Sequence, residues 1–290
     1  MESNRSSFNK VEHWIWLTPC LLLLTIFVYV PFLKTFYNSF FLVDYRSIPR
    51  QFVGLDNFKH LFADPIFLRA IRNSLFYMLI TVPAALLLGT TFAMLTRVRT
   101  VTSVLYETIF SIPCAISSSV IALIFQLLYM PTLGLINKLI GEEIRWLYDQ
   151  RFALYALAVI QVWSSSGFVF VFALTALRNI PACIIESARL DGASKLCLCT
   201  KILLPLISPT LLYLLFVNCV TSLMMMSYSN ILTGGGPQYS TMTLVQYIYT
   251  KYISTGNSTL INSASVVSFL ISAGVISIVL GIGKKGSFCK

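Results

Sequence analysis

The stretch IPACIIESARLDGAS, residues 180–194, is a polar connector between two long apolar runs, and it decides the interpretation of the chain. Pro181 suits the first turn of a short helix. Asp191-Gly192 supplies a turn, because glycine tolerates the positive φ that such corners need. A second short helix is expected from about Ala193. The spacing therefore predicts a helix–turn–helix connector between two buried segments.

The composition around this connector is that of a membrane protein. Hydrophobic residues make up 57% of the 290 residues and charged residues only 11%, whereas soluble domains have about 25% charged residues. The mean hydropathy is +0.79. The net charge of +10 comes from 21 Lys and Arg scattered between the apolar runs. Because they form no basic face, no nucleic-acid partner is expected.

Six apolar stretches predict six transmembrane helices. Each has about the 20 residues needed to cross a bilayer core. Each must be helical, because lipid offers no partner for an open backbone donor. The first has no cleavage-site pattern and is expected to remain as a membrane anchor. The stretches are approximately Trp14–Val30, Leu75–Leu95, Ile109–Leu128, Ala153–Leu177, Leu203–Met226 and Ala264–Ile282.

The distribution of Lys and Arg favours cytoplasmic N- and C-termini, because cations are about twice as dense in the loops that this orientation places inside. Residues 66–73, which include Arg69 and Arg72, are expected to lie along the membrane interface. The fold class is therefore an all-α integral membrane protein. Its expected segments are a cytoplasmic N-terminus (1–13), the first helix with an external segment (14–70), a five-helix domain (71–283) with the connector at about 180–202, and a cytoplasmic tail (284–290).

Cysteine and histidine patterns indicate neither a disulfide framework nor a metal site. None of the seven cysteines falls in a segment expected outside the cell, so free thiols are predicted. Cys197 and Cys199 form a pair without further ligands nearby. His13 and His60 are the two histidines, and both lie outside the apolar helices. An intramembrane Ser–His enzyme is therefore not expected.

The connector resembles the EAA loop of ABC importer permeases in the pattern Glu186-x-Ala188-x-x-Asp191-Gly192-Ala193, with Leu204-Pro205 following. Two positions depart from the family pattern, since Ser187 replaces the usual Ala and Cys199 the usual Phe. In that family the loop is a coupling helix, which docks into a cytoplasmic ATPase and transmits its closure to the transmembrane helices. The resemblance implies an ATPase-coupling role for Glu186, Ser187, Ala188, Asp191, Gly192 and Ala193.

Other segments are similar to the carbohydrate-uptake branch of these permeases, namely residues 52–58, Ile112-Pro113, residues 134–137 and residues 232–237. The resemblance implies the type I importer permease fold, in a MalF-like or UgpA-like subunit of a prokaryotic plasma (inner) membrane. No G-x-x-x-x-G-K-[ST] occurs, so the chain is not expected to be an enzyme or to hold a cofactor. The implied partners are a homologous MalG-like permease, two copies of a cytoplasmic ABC ATPase holding ATP and Mg²⁺, an extracytoplasmic solute-binding protein and membrane lipid.

Polar residues within the apolar helices predict a substrate pathway. Asn218, Ser222 and Met225 share one helix face at spacings i, i+4 and i+7, and Thr221 borders it. Hydroxyls and an amide suit a neutral polyhydroxy ligand. The alternative is that such groups hydrogen-bond across tight helix contacts. By resemblance, the positions that line the cavity of maltose-type permeases are Ser118, Ser164, Ser165, Asn218, Ser222 and Met225.

A di- or oligosaccharide is therefore the first expected substrate, and glycerol 3-phosphate or another polyol derivative is the alternative. A phosphorylated solute is expected to need a cation, and no Lys or Arg lies deep in a helix. An ATP-independent secondary transporter would show inverted repeats or intramembrane charges, and it leaves the connector motif unexplained. Glu107 is expected to pair with Arg97 or Arg99, or to extend to the membrane interface, rather than to relay protons.

Overall fold

The computed structural model describes residues 16–44, 46–255 and 258–285. The expected N-terminal segment, residues 1–13, and residues 286–290 of the expected tail lie outside the described residues. The described part is mostly helical and carries one two-stranded sheet. It divides into two compact units, one running to Asp64 and including Thr250–Phe269, the other comprising Pro65–Tyr249 and the chain from Leu270 onward.

The secondary-structure elements follow the apolar runs of the sequence. The helices are α1 (Trp16–Asn38), α2 (Asp56–Ala63), α3 (Pro65–Thr96), α4 (Val101–Ala115), α5 (Ser118–Leu128), α6 (Leu135–Ile140), α7 (Ala153–Arg178), α8 (Ala182–Leu190), α9 (Lys195–Leu206), α10 (Ser208–Leu223), α11 (Leu244–Thr255) and α12 (Ser258–Lys285). The strands are β1 (Phe41–Val43) and β2 (Pro49–Phe52).

The helices α1, α3, α7 and α12 are each long and apolar enough to cross a membrane. Two bent pairs also qualify when each is taken as one span: α4 with α5, bent by 103°, and α9 with α10, bent by 69°. Each of the six predicted stretches falls on one of these helices or pairs. The prediction of a multi-pass helical membrane protein is confirmed, with four to six crossings.

In the first unit, a short hairpin follows α1. Strands β1 and β2 pair antiparallel, and Asn57 of α2 fixes the hairpin by donating to the carbonyls of Ser39 at 2.9 Å and Phe41 at 3.0 Å. Asp44 organises the turn between the strands. The backbone N–H of Ile48 and the guanidinium of Arg50 hold the pKa of its carboxyl below the usual value, because both interactions favour the charged form.

In the second unit, α3 and α7 run parallel and in close contact. The Tyr77 hydroxyl donates to the Leu157 carbonyl at 3.2 Å. The contact tightens at Gly89, about three turns further along α3. A Cβ placed there would lie 2.6 Å from the Cβ of Val169 and 2.7 Å from the carbonyl oxygen of Ser166. The absence of a side chain at Gly89 therefore sets how closely the two helices approach.

Helix α3 begins at Pro65, directly after Asp64, as the sequence predicts. It continues without a break through residues 66–73, so the segment expected along the membrane interface is the first part of this helix. In this first part of α3, the side-chain amide of Asn73 is buried and donates to the carbonyls of Tyr239 and Met242, both at 3.0 Å. Polar residues in this stretch thus serve contacts within the unit.

The sharp bend between α4 and α5 has a local cause. Ile116 and Ser117 both have extended backbone conformations, with ψ of 136° and 147°. The Ser117 side chain then caps α5 by accepting from the N–H of Val120 at 3.4 Å. A serine at this position satisfies one of the open donors that start a helix, so one apolar run contains two helices.

Candidate substrate cavity and coupling segment

The connector forms the predicted helix–turn–helix. Helix α8 ends at Leu190, and Gly192 adopts a left-handed φ of +79°, a conformation that favours glycine. Ser194 then caps α9 by accepting from the N–H of Cys197 at 3.3 Å. The second short helix begins at Lys195, two residues later than expected.

The six residues of the expected coupling role divide between two faces of the connector. The buried side is formed by Ala188 and, in part, by Ala193. They pack in an apolar cluster with Leu198 and Leu203 of α9 and with Leu177 of α7. Through this cluster the connector packs against α7 and α10. The exposed side carries Glu186, Ser187, Asp191 and Gly192.

Cys199, which replaces the phenylalanine usual in the family, packs against this same cluster. Its side chain is partly buried there. At the exposed side, Leu190 has 89% of its surface open.

Arg178, in the last turn of α7 and just before the connector, joins α7 to the start of α4 and the end of α3. Its guanidinium donates to both carboxylate oxygens of Glu107, Nη1 to Oε2 at 3.0 Å and Nη2 to Oε1 at 2.5 Å. It also donates to the carbonyls of Thr96 at 3.2 Å and Arg97 at 3.3 Å. The expected pairing of Glu107 with the side chain of Arg97 or Arg99 is therefore wrong. The cation comes from a helix C-terminus, where a positive charge is favoured.

A cavity of about 380 Å³ opens between the bent pair α4–α5, α7 and α10. Its lining combines hydroxyls, two amides, methionines and two aromatic rings, and none of the described residues that line it is charged. The structure brings six of the seven predicted pathway residues together here. They are Ser118, Ser164, Ser165, Asn218, Thr221 and Met225.

Hydrogen bonds arrange part of this lining. Gln161 donates through Nε2 to the Ser165 hydroxyl at 2.8 Å. The Thr221 hydroxyl donates to the Asn218 carbonyl at 3.1 Å, and the Asn218 amide donates to the Leu214 carbonyl at 2.8 Å. These bonds leave hydroxyl lone pairs available, since each hydroxyl can also accept. The cavity can therefore offer both donors and acceptors to an uncharged polar solute.

Ser222 is the predicted pathway residue that does not line the cavity. It is 2% exposed, and its hydroxyl lies 2.9 Å from that of Thr81 on α3. Thr81 in turn donates to the Tyr77 carbonyl at 2.8 Å. Ser222 thus joins α10 to α3, which is the alternative role that the sequence left open for such residues.

Several residues that line the cavity were not predicted from the sequence. Gln161 precedes Ser164 and Ser165 by three and four residues, so the helical spacing of α7 could have identified it. The residues after α10 gave no such signal, because the chain leaves the helix at Met224 and folds back over the cavity. The missed lining residues with polar or polarisable groups are Cys114, Gln161, Met224, Met226, Ser227 and Tyr228.

Comparison with known proteins agrees with this architecture. The family described as binding-protein-dependent transport system inner membrane component matches residues 81–284. The sulfoquinovosyl glycerol transport system permease protein SmoG of Agrobacterium fabrum is 31% identical over 271 residues, 92% of this chain and 88% of that protein. The sn-glycerol-3-phosphate transport system permease protein UgpA of Escherichia coli (strain UTI89) is 32% identical over 254 residues, 86% of each chain.

A solved structure shares the fold over nearly the whole length. It is a bacterial alginate ABC transporter in complex with an alginate pentasaccharide-bound periplasmic protein. One of its chains superposes with a TM-score of 0.84 at 21% identity, covering 97% of this chain and 96% of that one. With the family match over 81–284, the chain belongs to the inner membrane components of binding-protein-dependent transport systems, which are multi-pass permeases and not enzymes.

Proposed function

We propose that the chain is a permease subunit of an ATP-driven, binding-protein-dependent ABC importer, that it forms half of the translocation pathway, and that the solute is a neutral sugar. The observation that carries the substrate class is the uncharged polar cavity. Hydroxyls of Ser164 and Thr221 and the amide of Gln161 face it. A polyhydroxy solute in a buried site needs hydrogen-bond donors and acceptors for its hydroxyl groups, and these side chains provide both.

The relatives narrow the solute to sugars and polyol derivatives. SmoG is named for sulfoquinovosyl glycerol, LacF of Rhizobium radiobacter for lactose and UgpA for sn-glycerol 3-phosphate. A phosphorylated or sulfonated solute brings a negative charge that requires a cation for pairing. No Lys or Arg is among the described residues that line this cavity, and this supports a di- or oligosaccharide over glycerol 3-phosphate.

The connector supplies the link to ATP hydrolysis. Its exposed side, with Glu186 and Asp191, would dock on a cytoplasmic ATPase, and its buried side, at Ala188, would pass the motion to α7 and α9. The assembly comprises this chain, a homologous permease, two ATPases that hold ATP and Mg²⁺, and an extracytoplasmic solute-binding protein. In this arrangement the chain has the type I permease fold with six crossings and both termini in the cytoplasm.

Uptake into proteoliposomes tests the substrate class. The complete complex is reconstituted, and ATP-dependent uptake of labelled neutral disaccharides is compared with that of glycerol 3-phosphate. Uptake of a neutral disaccharide is expected to predominate. Thr221→Val removes a cavity hydroxyl without changing shape. It should lower the maximal rate roughly two- to tenfold, the contribution of one hydrogen bond.

Ser222→Ala is the matched control, because its hydroxyl bonds Thr81 outside the cavity. This variant should lose thermal stability and keep its uptake rate per folded complex. Preferential uptake of glycerol 3-phosphate would reject the neutral sugar. Equal rates for Thr221→Val and the wild type would reject the cavity as the pathway.

A further inference from the structure

A second cavity, of about 360 Å³, lies between α3 and α7 at the end of the second unit opposite to Arg178. Three arginines converge on it: Arg69 and Arg72 from the first turns of α3, and Arg151 from just before α7. Arg69 and Arg72 are three residues apart and so share one helix face. No carboxylate is among the described residues that line this groove.

The neighbouring groups neutralise little of this positive charge. Arg69 donates through Nη1 to the Gln238 carbonyl at 2.7 Å, a neutral partner. Arg151 lies 3.7 Å from Asp149, but its side chain is 85% exposed. An exposed pair at this distance contributes little. Each guanidinium carries five N–H donors, so donors remain for an anionic ligand.

A buried hydroxyl in the same groove lacks a partner. Ser240 is 9% exposed, and its Oγ has no hydrogen-bond partner within the described part of the chain. An unsatisfied buried hydroxyl costs about 1–3 kcal/mol, and native structures rarely leave one without a reason. A ligand oxygen held by the arginines would give Ser240 an acceptor.

The surface that continues from the arginines is apolar. The rings of Phe76 and Tyr155 meet edge to face, with centroids 5.9 Å apart, and both are substantially exposed. Further along the two parallel helices, Leu79 is 65% and Val159 56% exposed. Arg72 and Leu79 are separated by about 10 Å of helix. This order matches the regions of a lipid at a membrane interface. Cations lie at the headgroup, aromatic rings at the interface and aliphatic side chains along the acyl chain.

We propose that this groove binds an anionic phospholipid. The phosphate accepts hydrogen bonds from Arg72, Arg151 and the Ser240 hydroxyl, and an acyl chain lies along Leu79 and Val159. Charge complementarity selects an anionic headgroup, and the exposed apolar strip selects a lipid over a soluble anion. This site is separate from the solute cavity and holds for any transported solute.

Native mass spectrometry of the purified complex tests the site, with phosphatidylglycerol titrated against phosphatidylcholine. The wild type should retain phosphatidylglycerol in preference. The double variant Arg72→Gln/Arg151→Gln should bind it roughly thirtyfold more weakly, since each cation near anionic lipid contributes about fivefold. Ser240→Ala, which changes no charge, should weaken binding roughly two- to tenfold.

Lys138→Gln is the matched control, because Lys138 is an exposed cation on α6 outside the groove. It should retain phosphatidylglycerol as the wild type does. Equal retention by the double arginine variant and Lys138→Gln would overturn the proposal. Loss of the second permease from the double variant, with full lipid retention by Ser240→Ala, would also overturn it and assign the arginines to a subunit interface.

Discussion

At the scale of single residues, Arg178 carries the densest set of polar contacts around the connector. Its guanidinium donates hydrogen bonds to the carboxylate of Glu107 on α4 and to the carbonyls of Thr96 and Arg97 at the end of α3. The pair is only partly exposed, 21% for Arg178 and 29% for Glu107. The ends of three helices are therefore held together next to the segment proposed to couple to the ATPase.

Replacing the two partners should have unequal effects. Arg178→Gln loses the ion pair and both carbonyl contacts, so we expect a loss of about 2–3 kcal/mol in the free energy of unfolding. Glu107→Gln keeps an acceptor oxygen and leaves the carbonyl contacts in place, so about 1 kcal/mol is expected. Thermal unfolding of the purified complex measures both. A larger loss for Glu107→Gln would contradict this assignment of the contacts.

The partners of single residues were the least predictable feature. The sequence places Arg97 and Arg99 near Glu107 along the chain, whereas the structure provides Arg178, 71 residues away. Likewise, helical spacing put Ser222 on the face of Asn218. It could not distinguish the part of that face that meets a cavity from the part that meets α3. Both outcomes depend on how helices pack, which spacing within one helix does not contain.

At the scale of elements, the apolar runs of the sequence predict where the helices lie but not where they bend. The run Ile109–Leu128 contains a 103° bend, and Leu203–Met226 contains the 69° bend between α9 and α10. Hydropathy measures length in lipid and is insensitive to direction. At the bend, the polar residue Ser117 caps the second helix. A single serine changes the mean hydropathy of the run very little, so hydropathy does not reveal the bend. The connector was predictable because glycine at the turn is a local requirement.

Glycines on α3 and α12 give a matched test of the packing. Gly89→Ala places a methyl group against Val169 and Ser166, and overpacking of this kind costs typically about 1–3 kcal/mol. Gly274→Ala meets nothing within 4 Å, and alanine favours a helix over glycine by roughly 1 kcal/mol. Thermal unfolding should therefore show a lower midpoint for the first variant and an equal or higher midpoint for the second.

Equal midpoints for the two glycine variants would contradict the close approach of α3 and α7. The outcome matters beyond stability, because the solute cavity lies beside α7 and the lipid groove lies between the same two helices. A change in their spacing should alter both sites together.

At the scale of the whole molecule, the family match and the fold agree on a permease that works as part of a larger assembly. Within the second unit, the anchored connector lies beyond the Arg178 end of α7, and the arginine groove lies at the other end. The neutral cavity lies between them along α7, at Gln161–Phe168. The proposed coupling, transport and lipid sites therefore follow one another along α7 and just beyond its Arg178 end.

The exposed side of the connector is the part of this chain that we propose couples transport to a partner ATPase. The most direct measurement is ATP hydrolysis stimulated by the solute-loaded binding protein in the reconstituted complex, for wild type, Glu186→Lys and Glu142→Lys. Glu142 is an exposed acid outside the connector, so Glu142→Lys is a matched charge reversal. We predict that Glu186→Lys abolishes stimulated hydrolysis or loses the ATPase, while Glu142→Lys behaves as wild type. Unchanged stimulation in Glu186→Lys, or solute uptake without nucleotide, would contradict the account.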